Sequence, residues 1–158
     1  MFHRRTRATV GLLGLVLVTV GLVGLAQAVQ PSPHRFVVLP PDQLGQVWVL
    51  DTTTSLRWQK TPSNNFFQWG AASTYCTDLQ GGSRLPEVKE LISLVDYSVS
   101  YPGPVLPAGH PFVDVQSADY WSATTFAGNP AVAWNVFFFN GNVSFSSKIV
   151  SLHAWCVR

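Results

Sequence analysis

At residues 69–95 the sequence is WGAASTYCTDLQGGSRLPEVKELISLV, and this stretch predicts two consecutive helices. In the first helix, residues 69–79, apolar side chains recur every three or four positions and form one buried face. That face consists of Trp69, Ala72, Cys76 and Leu79. Gly81-Gly82 ends the helix, and Pro86 opens the second one, where its missing N–H is not needed. The core stripe of the second helix is Val88, Leu91, Ile92 and Val95.

Strands are predicted on both sides of the helices. Residues 45–51 and 56–59 alternate in the manner of strands and are joined by a turn at residues 52–55. Further strands are predicted at residues 120–124, 132–139, 142–146 and 154–157. Asn140-Gly141 predicts a hairpin between the second and third of these. Two helices followed by an antiparallel sheet indicate an α+β fold, with the helices packed on one small twisted sheet and long irregular loops between elements.

The strand at residues 132–139 has two distinct faces. Trp134, Val136 and Phe138 share one face, which we predict to be core. Asn135, Phe137 and Phe139 share the other. Exposed aromatic side chains mark interaction surfaces, whereas a sheet covered on both sides would make the two phenylalanines core residues, and both interpretations stay open.

Two segments are predicted to be irregular. Residues 29–44 indicate a Pro-rich linker or arm. Residues 98–118 contain four prolines and cannot form a long regular element. A loop of this length is either functional or a cover that inserts apolar side chains such as Phe112 into the core.

The N-terminus has the pattern of a secretory signal peptide. Arg4, Arg5 and Arg7 precede an apolar run, residues 8–26, and Ala26-Gln27-Ala28 is a cleavage motif, so we expect cleavage after Ala28. The alternative is an uncleaved membrane anchor, because the run approaches the length of a bilayer span. Either way the remainder is exported, which predicts a secreted, periplasmic or cell-surface protein.

The net charge of the exported part excludes some classes of binding partner. Removal of residues 1–28 takes away three of the ten basic residues and none of the eight acidic ones, which leaves a net charge of about −1. We therefore expect no nucleic-acid partner and, after cleavage, no membrane association.

Export favours a disulfide between Cys76 and Cys156; the alternative is two buried free thiols.

An ordered set of motifs extends from about Gly45 to Arg158 and resembles the Lcl C-terminal domain family, found at the end of some collagen-like bacterial adhesins. The motifs are Trp69-Gly70-Ala71-Ala72, Tyr75-Cys76, Gly81-Gly82, Arg84-Leu85-Pro86, Lys89-Glu90-Leu91, Leu94-Val95-Asp96-Tyr97, Tyr120-Trp121-Ser122, Ala133-Trp134-Asn135-Val136, Asn140-Gly141 and Cys156-Val157-Arg158. The sequence departs from the family pattern at Ser83 and at Ala154-Trp155, and the second departure bears on a binding surface near the C-terminus.

The resemblance implies a C-type-lectin-like fold, related to the formylglycine-generating enzyme group, in which a disulfide ties the first helix to the last strand. Adhesin members of the family are associated with sulfated polysaccharide. We do not expect this ligand here, because binding a polyanion requires clustered positive charge and the basic residues after position 28 are scattered.

Residues 121–155 alternate apparent anchors with polar and aromatic residues of mixed kind. This pattern resembles the variable region of retroelement-diversified proteins, several of which use this fold; the alternative is an ordinary sheet.

We predict a ligand-binding or adhesion module whose ligand is a protein or a carbohydrate, or else a structural domain of the cell envelope that forms homo-oligomers. The candidate ligand-binding residues are Phe126, Asn129, Phe137, Phe139, Asn140, Asn142, Ser144, Ser146 and His153.

No catalytic constellation is evident in the sequence. His34, His110 and His153 lack metal-ligand spacing. His110 and Asp114 could be the base and the orienting carboxylate of a Ser-His-Asp triad, but serine is so common that such a set arises easily by chance. Trp134-Asn135-Val136 lacks the aspartate that follows Trp-Asn in calcium-binding lectins. Asp96, Asp114 and Asp119 could hold a structural ion, but most aspartates of this kind cap loops. We therefore expect neither enzymatic activity nor a bound metal or other cofactor.

Overall fold

Two helices and two three-stranded antiparallel sheets make up the computed structural model, which describes residues 34–158. The elements are β1 (Phe36–Val38), β2 (Trp48–Asp51), β3 (Leu56–Gln59), α1 (Trp69–Asp78), α2 (Val88–Ser93), β4 (Asp119–Thr125), β5 (Val132–Phe137) and β6 (Asn142–Ser147). The predicted α+β class is confirmed, although the strands form two small sheets rather than one. The predicted signal peptide lies outside the described residues.

The first sheet has the order β1-β2-β3 and includes part of the predicted linker. Residues 36–38 pair with β2, with Phe36 opposite Asp51, so the prediction of an irregular arm is wrong for this segment. Arg35 explains why it is held in place. Its guanidinium bonds both carboxylate oxygens of the fully buried Asp51, at 3.1 and 2.8 Å, and donates to the carbonyl of Ser93 at 2.6 Å.

The second sheet has the order β4-β5-β6, and Asn140-Gly141 lies in the predicted hairpin. β5 ends at Phe137 rather than Phe139, because residues 138–141 form the turn: the N–H of Gly141 donates to the carbonyl of Phe137 at 2.8 Å. Gly141 has a φ of +79°, a conformation that favours glycine.

The two helices bury the predicted faces but begin and end at slightly different residues. Ala72 and Cys76 of α1 are buried, and so is Leu91 of α2. α2 begins after Glu87 instead of at Pro86, because the Glu90 carboxylate accepts a hydrogen bond from the N–H of Glu87 at 2.7 Å and so caps the helix there.

Residues 152–158 run between the two sheets and do not form the regular strand predicted at 154–157. They make single bridges instead: His153 with Tyr120, and Val157 with both Trp58 and Arg84. A continuous ladder is impossible because successive residues pair with different elements. The segment nevertheless places Trp155 and Cys156 in the core, where both are fully buried.

The predicted disulfide between Cys76 and Cys156 is confirmed, with the two Cα atoms 5.3 Å apart. It ties α1 to the C-terminal segment, which excludes the alternative of two free thiols. The loop at residues 98–118 forms no regular element until β4 begins, and it buries Val105, Leu106 and Phe112. Of the two interpretations left open for this loop, the burial of Phe112 supports the covering role.

Candidate ligand-binding site

Four of the predicted ligand-binding residues share one face of the second sheet, here called the hairpin face. Directly paired residues project to the same side of a sheet. Asp119, Phe137 and Asn142 are paired in one row across the strands, and Trp121, Asn135 and Ser144 in the next. Ser146, opposite Ala133, completes the face.

The hairpin face is covered towards β4 and open towards β6. Trp121 and Ala133 are buried in a cluster with Ala72 and Cys76, whereas Asn142 and Ser144 are exposed. This gradient explains Asn135, which lies on the same face as Phe137 but is fully buried.

Buried polar groups lie at the border between the covered and open parts. The Asn135 Nδ2 donates to Ser146 Oγ at 3.0 Å, while its Oδ1 has no hydrogen-bond partner among residues 34–158. The half-buried Asp119 lies opposite Phe137, and burial raises the pKa of its carboxyl group. The open face therefore combines amides, hydroxyls, a carboxyl group and an aromatic ring.

Phe137 and Phe139 are neither core residues nor fully exposed. Both are half-buried and stack on each other, with ring centroids 5.4 Å apart and planes at 19°. Phe139 also contacts Tyr101, at 5.6 Å between centroids. Tyr101 was not among the predicted residues, although it is 71% exposed.

The loop before β4 is fastened to the turn of the hairpin. The N–H groups of Gly103 and Val105 donate to the carbonyls of Phe139 and Phe138, at 3.0 and 2.9 Å. A Cβ at residue 103 would overlap the carbonyl oxygen of Phe138, so this close approach requires glycine. The Tyr97 hydroxyl donates to the carbonyl of Gly141 at 3.1 Å.

A groove of about 350 Å³ lies beside this contact, and we call it the tip groove. Asn140 is the predicted binding residue that lines it. Its Oδ1 accepts a hydrogen bond from the N–H of Asn142 at 3.0 Å, which shapes the turn. The lining residues are Tyr97, Val99, Ser100, Tyr101, Val105 and Asn140.

Phe126 and Asn129 lie away from the hairpin face. Phe126 packs on Trp134 and Phe145, at 5.5 and 4.7 Å between ring centroids. These rings occupy the opposite face of the sheet, where Trp134 is only half-buried, so the prediction that Trp134 belongs to the core is wrong. Asn129 caps the turn between β4 and β5, since its Oδ1 accepts from the N–H of Ala131 at 3.0 Å.

His153 is buried and also lies apart from the hairpin face. Its ring is 5.4 Å from that of Tyr120, on the side of the sheet opposite to Phe137, and Phe66 covers it at 4.3 Å. Its Nδ1 lies 3.3 Å from the carbonyl oxygen of Ser63. His153 therefore cannot contact a ligand that is bound to Asn142 and Ser144.

A family model described as the Lcl C-terminal domain matches residues 47–158, which is more than half of the sequence. The chain belongs to the Lcl C-terminal domain family. A search of curated proteins found no match, and neither did a search of solved structures. Membership of this family, which suggests an extracellular, adhesion-related module, and the disulfide are both compatible with an extracellular location.

The departure from the Lcl C-terminal pattern at Ala154-Trp155 affects the core and not a binding surface. Both residues are fully buried. The Trp155 ring packs edge-on against Phe112 at 4.9 Å between centroids, and its Nε1 donates to the carbonyl of Gln59 at 2.8 Å. Ser83, the other departure, is also buried.

The residues considered for catalysis or metal binding are dispersed in this Lcl C-terminal domain. His110 packs on Phe112 and makes no hydrogen bond with Asp114; burial lowers the pKa of its imidazole. Over residues 34–158, no three His, Cys, Asp or Glu side chains converge in a way that could hold a metal ion. In the same part of the chain, no helix has both the length and the apolar character needed to cross a bilayer.

Proposed function

We propose that this Lcl C-terminal domain is a secreted or surface-exposed, non-enzymatic binding module that holds a protein or carbohydrate ligand on its hairpin face. The observation that carries the proposal is the row formed by Asp119, Phe137 and Asn142, with Ser144 beside it. This row presents hydrogen-bonding groups next to a stacked aromatic pair.

The composition of the hairpin face suits recognition of an uncharged or weakly charged ligand. Rigid aromatic rings supply contact area at low entropic cost, and hydroxyl and amide groups adapt their hydrogen bonds to the ligand. The exposed residues Asn142 and Ser144 provide such groups. The rows of Asp119 and Trp121 contain no basic side chain, and at the Ser146 end of the face the Lys148 ammonium is already bonded to Thr125 Oγ1 at 2.9 Å. A single cation argues against a sulfated ligand, because binding a polyanion requires clustered positive charge.

The face is supported by regular structure. β5 lies between two strands, and the adjoining α1 is cross-linked to the C-terminal segment by the disulfide. A surface that is already in its binding conformation loses little conformational entropy on association.

The proposal is tested with the double variant Asn142→Ala/Ser144→Ala and the single variant Phe137→Ala. Binding to immobilised extracellular-matrix proteins and glycans is measured by surface plasmon resonance, alongside the melting temperature. We expect each variant to weaken binding at least about tenfold, since truncating a central hot-spot residue of an interface costs about 2 kcal/mol or more. The matched control is Asn65→Ala/Thr53→Ala, which removes two exposed polar side chains far from the hairpin in sequence. Unchanged binding by both test variants would refute the proposal.

A second candidate function, an oligomerisation domain, is favoured by the character of β6. This strand lies at the edge of its sheet and contains no charged residue or proline. Its side chains Phe145 and Val143 are 51% and 39% exposed. Edge strands without such protection readily pair with another chain. Sedimentation analysis distinguishes the two functions: Val143→Lys should convert an oligomer to a monomer if β6 is the contact.

A further inference from the structure

We propose that the tip groove binds a neutral oligosaccharide. This inference rests on the proposed binding function and assigns it a second, more specific subsite beside the hairpin face. The groove lies between the loop that precedes β4 and the hairpin turn, and both are held at fixed positions by backbone hydrogen bonds.

Two tyrosines provide flat apolar surfaces at the groove. Tyr97 and Tyr101 are 68% and 71% exposed, the most exposed aromatic side chains among residues 34–158. The C–H groups of a sugar ring pack on the face of an aromatic ring, while the sugar hydroxyls stay available for hydrogen bonds. Behind Tyr101, the stacked pair of Phe139 and Phe137 continues the aromatic surface towards the hairpin face.

The polar groups of the groove suit hydroxyl partners. Within the described residues, the Ser100 hydroxyl, the Tyr101 hydroxyl and the Asn140 Nδ2 are not engaged in hydrogen bonds of the protein. The Oδ1 of Asn140 is already used by the turn, so the side chain is oriented before the ligand arrives. A sugar ring has hydroxyls on several sides and can bond all three groups.

The groove has no charged lining residue, which determines the class of ligand. The lining consists of two tyrosines, two valines, a serine and an asparagine. A sulfated or uronic sugar would enter without a compensating charge, and burying an unpaired charge is costly. The lining therefore matches a neutral ligand.

The size of the groove favours a short sugar over a peptide. A volume of about 350 Å³ is at the low end of the roughly 300–1,000 Å³ that is typical of small-molecule sites. A Pro-rich peptide, which also docks on aromatic residues, needs an extended groove lined along several residues. A single cleft fits one end or one branch of a glycan.

The loop geometry keeps the groove open before binding. Gly103 permits the two close backbone contacts to the turn, and Tyr97 is bonded to Gly141. Both walls are thus attached to each other at the base, while the rings of Tyr97 and Tyr101 remain accessible.

The test is a titration of the purified full-length protein with neutral oligosaccharides of hexoses and N-acetylhexosamines, each paired with its sulfated counterpart, and with a Pro-rich peptide. Binding is measured by calorimetry and by NMR chemical-shift changes. The informative variants are Tyr101→Ala, Tyr101→Phe and Asn140→Asp. Asn140→Asp keeps the oxygen that shapes the turn but removes the amide N–H groups and adds a charge. Phe66→Ala is the control, because Phe66 is 65% exposed and covers His153 instead of the groove.

We expect at least one neutral oligosaccharide to bind the wild type, with affinity lowered about three- to tenfold by Tyr101→Ala. Asn140→Asp should lower it by a similar factor, whereas Tyr101→Phe and Phe66→Ala should keep most of it. Binding of only sulfated sugars or only the peptide would overturn the inference, as would binding that survives both Tyr101→Ala and Asn140→Asp. If neutral sugars fail while an immobilised protein still binds through Asn142 and Ser144, the inference fails and the proposed function stands.

Discussion

Removing the disulfide between Cys76 and Cys156 is expected to lower the free energy of unfolding by about 4.5 kcal/mol. The two residues are 80 positions apart, and closing a loop of that length raises the free energy of the unfolded chain by about 4.5 kcal/mol at 25 °C in the chain-entropy model. For a domain of about 130 residues, at roughly 4 °C per kcal/mol, this loss corresponds to a melting temperature lower by about 15–20 °C.

The measurement is urea unfolding at 25 °C, followed by the fluorescence of the six tryptophans. Three samples are compared: oxidised wild type, reduced wild type and the double variant Cys76→Ala/Cys156→Ala. Both cysteines are fully buried, so the double variant also loses some packing and should be slightly less stable than the reduced wild type. A difference below about 1 kcal/mol between oxidised and reduced wild type would refute the assignment of this stability to loop closure.

Three further changes probe the parts of the fold that position the site. Arg35→Ala leaves the buried Asp51 carboxylate without its partner and should cost about 3 kcal/mol in urea unfolding at pH 7. Burial alone would raise the pKa of Asp51, but Arg35 and the N–H of Thr53 hold that pKa below the usual 3.8. The stabilisation by this ion pair is therefore complete above pH 3.8 and disappears as the pH falls through the lower pKa of the folded state. Stability that falls equally steeply with acid in Asp51→Asn would contradict this. Gly103→Ala should cost about 1–3 kcal/mol and change the NMR signals of the hairpin turn, because its Cβ overlaps backbone oxygens; a neutral substitution would show that the loop moves freely. Trp155→Ala should cost about 3–5 kcal/mol, since the ring is fully buried, and a loss under 1 kcal/mol would contradict its place in the core.

The features that could be predicted from sequence depend on local chemistry. The periodicity of Ala72 and Cys76 identified the buried face of α1, and Asn140-Gly141 identified the hairpin. The segment at residues 36–38 was missed because its strand structure comes from pairing with β2 and from the ion pair of Arg35 with Asp51. Contacts with partners this distant in sequence leave no periodic pattern within three residues.

The candidate site could be predicted only in part, because exposure on a strand depends on what covers it. Alternation placed Trp134 in the core, yet its neighbours on that face are Phe126 and Phe145 at the surface. Tyr97 and Tyr101 were not among the predicted residues, because their position at the hairpin turn depends on the path of a proline-rich loop. The sequence did contain one signal for this contact, namely Gly103 between two prolines. Glycine allows one backbone segment to approach another closely, as Gly103 does at the hairpin turn.

The position of residues 152–158 between the two sheets has a consequence for the order of folding. The bridges to Trp58, Arg84 and Tyr120 cannot form until residues 152–158 have been synthesised. Neither sheet can complete its native packing before then, because this segment supplies contacts to both. The two sheets are therefore expected to complete their packing together, once residues 152–158 are in place.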